Sequence, residues 1–412
     1  MTNPLWHIWR AIWSLLRRFQ PGSASDGAAF PMLREPASQS LQSSPFDVLG
    51  DRVQESRGAV VFLPSVGWAI HLIQRPHHLA RAFVALGYVS IFDCEGSDDP
   101  VEGLQEVEPN LFLFRGDRSA LHQLPSLILW CFPYNYHLAS AFPAGTVTVY
   151  DWIDDLSVFP YDRDFLAENH RCALGGATVV ASVSRKLDAE AKAVRSDALY
   201  LPNGVDYERF ATDHVAVPGD PVLESVLVAG RPIAGYYGAL AKWFDYDLVD
   251  ELARRRPDWS FVLIGPMLDD SLTGKALLDR SNVCWTGPRD YRSLSGYLRC
   301  FDVAMIPFRI NDITLATSPL KLYEYLAGGK PVVTTPMPEC EAFPEVRIAR
   351  DAEELSRALD AALEDGRDER FRSRLREIGR ESSWSARVMA LLDRLDERLR
   401  EGLVVGLGAR SA

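Results

Sequence analysis

Short, continuously apolar runs recur along this chain, each followed by a turn and then by a segment with helical spacing. Ala59-Val60-Val61-Phe62-Leu63 opens the series, and a loop holding Gly67 and Trp68 follows. Pro76 begins a helix that Gly87 closes before a second run at 88–92. Strand, loop, helix and strand in that order make one right-handed βαβ unit. Runs at 111–114, 127–131, 146–150, 177–182 and 198–201 continue the pattern, with helical segments such as 185–193 between most of them. The alternation of strand and helix predicts a parallel sheet wrapped by helices.

A Pro/Gly-rich break around Pro218-Gly219-Asp220-Pro221 precedes a second series. Its strands are expected at 232–236, 260–264, 283–285, 303–306 and 331–335, with helices at 245–255, 291–298 and 318–327 and a charged helical tail from about 352 to 403. The 412 residues suffice for two or three domains with their own cores. The expected division is a helix over 1–20, a flexible Pro/Ser/Gly-rich linker over 21–57, an α/β domain over 58–212, a second over 222–375, and a tail over 376–412 that crosses back to the first domain. Two doubly wound domains of similar size face each other across a cleft, and ligands of such sheets bind outside the carboxyl ends of the strands.

The first residues stand apart. On a helical wheel Leu5, Trp6, Ile8, Trp9, Ile12, Trp13, Leu15, Leu16 and Phe19 share a wide face, opposite His7, Arg10, Ser14, Arg17 and Arg18. A Trp-rich apolar face with a basic polar face marks a helix lying in a membrane interface. The rivals are a secretory signal, which the interspersed arginines disfavour, and a helix packed on the protein's own body. No apolar run is long enough to span a bilayer, the net charge of −12 argues against a nucleic-acid surface, and six scattered cysteines read as reduced thiols of a cytoplasmic protein.

Chemistry is expected at strand ends. Ser318 can cap a helix, Pro319 suits its first position, and Gly328 suits the left-handed residue that ends it. Lys321 and Glu324 share one face of that helix, whose uncovered amides and positive dipole end suit an anion. The plainer alternative is an ordinary αβ unit with a solvated Lys/Glu face. Gly235 and Gly238 end one strand, and the loops 286–289 and 307–314 end two more, an arrangement that suits a nucleotide diphosphate. No Walker loop or GxGxxG fingerprint is present, which disfavours ATPase and nicotinamide readings. In the first domain Asp151, Asp154 and Asp155 follow a strand end and could serve as a general base or simply decorate a helix start. Trp68, Gln74, Arg75, His77 and His78 sit at the first βα loop, where they face the cleft or merely pack.

The runs 235–240 (Gly-Tyr-Tyr-Gly-Ala-Leu), 261–266 (Phe-Val-Leu-Ile-Gly-Pro), 301–308 and 318–333, with Gln74-Arg75-Pro76-His77-His78, Tyr150-Asp151-Trp152-Ile153-Asp154-Asp155 and Pro202-Asn203-Gly204-Val205-Asp206, resemble family 4-like glycosyltransferases, and most of all their teichuronic-acid branch. The resemblance spans about residues 59–390. It implies a GT-B fold of two Rossmann-like domains. It also implies a retaining enzyme that needs neither metal nor cofactor, takes a UDP- or GDP-sugar donor, and uses a polysaccharide or lipid-linked glycan acceptor at the cytoplasmic face of the membrane. By the same resemblance Glu324 is the second Glu of the Glu-x7-Glu motif and bonds the donor ribose, Thr317, Ser318 and Leu320 present backbone to the diphosphate, and Gly238 borders it. The first Glu of the motif falls at Ala316, and Ala239 stands where a basic residue follows the glycine loop, leaving Lys242 or Lys321 to supply the charge. Asp151 or Asp154 replaces the usual His of the first domain, and Trp68, Arg75, His77 and His78 line the acceptor side. A sugar-nucleotide epimerase or phosphorylase on the same fold and a degenerate, non-catalytic binder are the alternatives.

Overall fold

The computed structural model describes residues 45–70, 73–212 and 216–408. The expected interfacial helix at 5–19 lies outside the described residues. The amino-terminal half runs α1 (Pro45–Gln54), β1 (Ala59–Phe62), α2 (Arg75–Ala85), β2 (Val89–Asp93), β3 (Gly103–Glu108), β4 (Leu111–Arg115), β5 (Leu127–Cys131), β6 (Val147–Trp152), α3 (Arg163–Gly176), β7 (Val179–Ser182), α4 (Arg185–Val194), β8 (Leu199–Tyr200) and α5 (Tyr207–Phe210). The other half runs α6 (Pro221–Val228), β9 (Ile233–Tyr237), α7 (Tyr246–Arg255), β10 (Ser260–Ile264), β11 (Val283–Trp285), α8 (Leu294–Arg299), β12 (Val303–Ile306), α9 (Asp312–Leu315), α10 (Leu320–Ala327), β13 (Val332–Thr334), α11 (Pro338–Glu341), β14 (Arg347–Ile348), α12 (Ala352–Asp365), α13 (Glu369–Glu381) and α14 (Trp384–Gly408).

Two sheets result. The first has the order β3-β4-β2-β1-β5-β6-β7-β8 and is parallel except for β3, which pairs antiparallel with β4. The second has the order β11-β10-β9-β12-β13-β14 and is parallel throughout. In each sheet the founding strand has neighbours built on opposite sides, β2 and β5 around β1, β10 and β12 around β9. Those are the topological switch points, where crevices open above the strand ends.

Within the stretch expected to be a linker, α1 is helical because Leu49 and Val53 are buried against the core that also holds Val61 and Phe114. The chain also crosses back. Trp384, Val388, Leu391 and Leu395 of α14 belong to the core of the amino-terminal half, together with Val60, Phe83 and Trp130. A parallel bridge between Val205 and Ser383 pins the start of that crossing, with the Val205 amide 3.0 Å from the Ser382 carbonyl.

Candidate functional site

Above the β9 and β10 ends the backbone needs glycine. Gly238 and Gly265 have φ of +135° and +140°, and a Cβ on Gly265 would lie 2.0 Å from the Gly238 carbonyl oxygen. A Cβ on Gly238 would meet Lys321 Cε at 2.9 Å, so the lysine runs directly over that turn. Its ammonium sits 5.3 Å from the Tyr236 ring centroid and 4.8 Å from that of Phe308. Burial pulls the Lys321 pKa down to about 8 against the opposing pull of Glu324. Gly235, by contrast, is inside β9, where a side chain would strike the Phe301 ring at 2.3 Å. Lys242 is exposed on the following turn, its amide 3.1 Å from Asp269 Oδ2.

The α10 start differs from its expected form. Pro319, not Ser318, occupies the N-cap position, and no side chain caps the first turn. The Ser318 hydroxyl is buried and pairs with Tyr323 Oη at 3.2 Å, while accepting from the Asn203 amide at 3.2 Å. Thr317 Oγ1 donates back to the Ile313 carbonyl at 2.9 Å, and Leu320 packs against the core of the other half. No side chain therefore caps the amides that begin α10, of which that of Leu322 donates to the Pro319 carbonyl at 3.1 Å, and uncapped amides at a helix start suit an anion. At the far end Gly328 has φ of −73° and the left-handed residue is Gly329, at +65°. Gly328 is required by packing instead, since a Cβ there would come 2.6 Å from Leu298 Cδ2.

One helical turn on, Glu324 is only 4% exposed. Burial raises its pKa to about 7, against the lowering effects of the Tyr237 phenol, Lys321 and the Tyr291 phenol, with the Asp206 charge adding to the rise. Tyr237 Oη is buried and forms no well-aligned hydrogen bond of its own. Gly238, Lys321, Glu324 and the open turn of α10 thus form one constellation. Tyr237 and Tyr291 complete it, although nothing in their sequence positions beyond proximity to a strand or helix end announces this.

Across the interface the first-domain candidates separate. Asp151 is fully buried and receives Arg75 Nε at 2.8 Å, Arg75 Nη2 at 3.0 Å and Trp130 Nε1 at 3.0 Å. Arg75 also donates to the Leu201 carbonyl at 2.9 Å and to Asn203 Oδ1 at 3.1 Å. Asn203 Nδ2 donates to the Ser318 carbonyl at 2.7 Å, and Arg387 Nε donates to the Asn203 carbonyl at 3.1 Å. An unbroken hydrogen-bonded chain thus runs from Asp151 through Arg75 and Asn203 to the start of α10. Asp154, three residues along, carries no such clamp; burial and the neighbouring Asp155 raise its pKa to about 7.

His77 has both ring nitrogens engaged within its own loop: its Nδ1 accepts from the Gln74 amide at 3.3 Å, and Nε2 lies 3.0 Å from the Gly67 carbonyl. Burial drops its pKa to about 4, so the ring is neutral. Trp68 packs on His77 and Phe92, with Arg81 over its face. His78 does reach the interface, stacked on Trp384 at 5.1 Å and edge-on to Tyr291 at 5.3 Å, with Nε2 buried and unpartnered.

Ala316 is fully buried in an apolar cluster with Tyr150, Trp152 and Leu187 of the other half. The segment before α10 is therefore plugged into the amino-terminal half. Two contacts flank the plug: Lys186 Nζ donates to the Asp312 carbonyl at 3.3 Å, and Glu339 accepts from the Arg185 amide and from Tyr200 Oη. Among the described residues no group of three His, Cys, Asp or Glu side chains could hold a metal ion, and no helix is long and apolar enough to cross a membrane.

Residues 231–365 match the family described as glycosyl transferases group 1. Over 209 residues the chain is 29% identical to TuaH of Bacillus subtilis, a protein assigned to teichuronic acid biosynthesis as a glycosyltransferase. That stretch is 49% of this chain and 51% of TuaH, so the match spans about half the length of the curated relative. Among solved structures, sucrose-phosphate synthase from Thermosynechococcus elongatus is similar with a TM-score of 0.59 at 16% identity, over 86% of this chain and 100% of that one. HepE of Anabaena, in complex with UDP and glucose, gives 0.58 at 16% identity over 82% and 99%. The trehalose-6-phosphate synthase OtsA gives 0.64 at 11% identity over 82% and 99%.

Proposed function

We propose that this chain, which carries a glycosyl transferases group 1 domain on a GT-B fold, is a retaining enzyme that moves a sugar from a nucleotide-sugar donor to a surface polysaccharide or lipid-linked glycan. The reading rests above all on the open turn of α10 with Lys321 and Glu324 beside it and Gly238 in front. The amides and Lys321 receive the charge that develops on the departing nucleoside diphosphate, in the place a metal would otherwise take. Glu324, once ionised, accepts from the ribose hydroxyls. The anomeric carbon–phosphate oxygen bond breaks, the acceptor oxygen bonds on the same face, and its proton passes to Asp154, the carboxylate that no cation clamps. Closure between residues 58–212 and 222–375, with 376–412 as the crossing tail, would exclude water and so hydrolysis. The complex of HepE with UDP favours UDP over GDP as the base-bearing group.

Calorimetric titration with UDP and GDP, followed by transfer or slow-hydrolysis assays across sugar nucleotides, tests the reading. Glu324→Ala should weaken nucleotide binding and turnover by at least tenfold, the factor that ~1.4 kcal/mol carries; unchanged turnover would remove Glu324 from the site. Ala316, buried where a catalytic carboxylate is expected, favours one second reading, a non-catalytic sugar-nucleotide binder. Nucleotide binding with neither transfer nor hydrolysis would select it. Conversion of the donor to its epimeric sugar nucleotide without acceptor would select an epimerase instead. For residues 5–19 we propose peripheral attachment to the inner membrane face, through which deletion of residues 1–20 should abolish flotation with anionic liposomes.

A further inference from the structure

The β1–β5 switch point of the amino-terminal half carries a feature that the donor-side reading leaves unused. Asn135 closes the crevice there: its Nδ2 donates to the Pro64 carbonyl at 2.9 Å and its Oδ1 accepts from the Phe132 amide at 2.6 Å. Between these loops three aromatic rings form a column. Phe132 and Tyr134 stack at 5.8 Å with planes 17° apart, and Tyr134 and Tyr161 stack at 5.4 Å with planes 6° apart. Phe159 braces Tyr134 from the side at 5.2 Å, and Phe165 lies 6.1 Å from Tyr161.

Burial changes along the column. Phe132 is fully buried, Tyr134 is 9% exposed, and Tyr161 is 40% exposed with Phe165 at 38% beside it. One face of the Tyr161 ring is thus covered by Tyr134, while the residue as a whole stays 40% exposed. Asp154 and Tyr161 lie on the same segment that leaves the end of β6, and the charges of Asp151 and Asp154 reach the Tyr134 phenol. Aromatic faces are electron-rich and attract polarised C–H groups. A pyranose ring offers the matching surface, a face of axial C–H bonds rimmed by hydroxyls.

We propose that the Phe132–Tyr134–Tyr161 column, with Phe165 at its edge, is a saccharide subsite: a sugar ring of the acceptor stacks on Tyr161 and turns a hydroxyl toward Asp154. The assignment rests on the transferase reading for the word acceptor, but not for the binding itself. It makes the acceptor group at this point a sugar, not a lipid chain or a protein side chain.

Saturation-transfer NMR on the full chain tests it, with methyl pyranosides of glucose, galactose, N-acetylglucosamine and glucuronic acid as probes. Irradiating the protein aromatic protons should saturate the protons on one face of at least one glycoside. Tyr161→Ala should weaken that glycoside roughly tenfold and Phe165→Ala by less, while Tyr161→Phe retains it. UDP binding, titrated in the same samples, should be unchanged in all three variants. No transfer to any glycoside in the wild-type protein, or full binding in Tyr161→Ala, overturns the subsite. So does a loss of UDP binding in Tyr161→Ala, which would mean that the substitution disturbs the fold. Reduced liposome flotation in Tyr161→Ala with glycoside binding intact overturns it in favour of a membrane contact. Glycoside binding that depends on Tyr161 in a protein that binds no nucleotide supports the subsite and removes the transferase reading alone.

Discussion

Asp151 lies in β6 and Asp154 just beyond its end, and they look alike in sequence, yet their surroundings differ. Asp151 is locked to a buried arginine from α2 and to an indole from β5. Removing one partner of a buried pair leaves the other uncompensated, at roughly 3–5 kcal/mol. Asp151→Ala should therefore lower the urea midpoint strongly, whereas Asp154→Asn should leave it nearly unchanged and reduce transfer. Glu324 and Lys321 add a pH signature. Glu324 is ionised above about 7 and Lys321 is charged below about 8, so UDP affinity should peak between those values and fall on either side. Titrations across neutral pH would show it, and Glu324→Gln should lose the acid limb while keeping the alkaline one. The raised Glu324 pKa also means that the folded state holds its proton more tightly than the unfolded chain. Stability is accordingly lost as pH rises from the ordinary value of 4.5 toward 7.

At the scale of elements, α10 is held from behind by α13. Gly379 faces Ala327, and a Cβ there would lie 2.5 Å from Ala327 Cα and 2.6 Å from its amide nitrogen. Backbone cannot yield as a flexible side chain does, so Gly379→Ala should cost about 1–3 kcal/mol and tilt α10. Urea unfolding and UDP titration together would register both effects. The elements themselves were largely legible: 127–131 and 261–264 are unbroken apolar runs, and Gly or Pro follows within two residues of each. β3 was not, because Gly103–Glu108 is a half-exposed, mostly polar edge whose only cue is its pairing with β4. Nor was α1, whose two buried side chains are too few to form a stripe after a Pro/Ser-rich stretch. The Ser318 cap was misread for a related reason. Ser318 has the right chemistry for a cap, but Asn203, 115 residues away, takes its hydroxyl and carbonyl.

For the whole molecule, the pattern of two strand–helix series made two sheets legible, while the contacts between the halves, apart from the crossing of the tail, were beyond reach because each depends on residues far apart in the chain. Ala316 illustrates the difficulty, since a missing carboxylate says nothing about which surface receives the alanine. In the structure the amino-terminal half receives it, and the same half grips the next turn through Asn203. The two halves are therefore not independent bodies at this point. If diphosphate and Asn203 compete for the polar groups at the start of α10, nucleotide binding loosens the grip; if diphosphate binds alongside it, nucleotide binding tightens it. Either way the energy is shared by both partners, and equilibrium linkage requires the effect to be mutual. A glycoside that changes the dissociation constant of UDP by some factor must have its own constant changed by UDP through that same factor. Paired titrations would measure both sides, and Asn203→Ala should bring the factor close to one. The Asn203 grip on the start of α10 would then be the means by which each substrate senses whether the other has arrived.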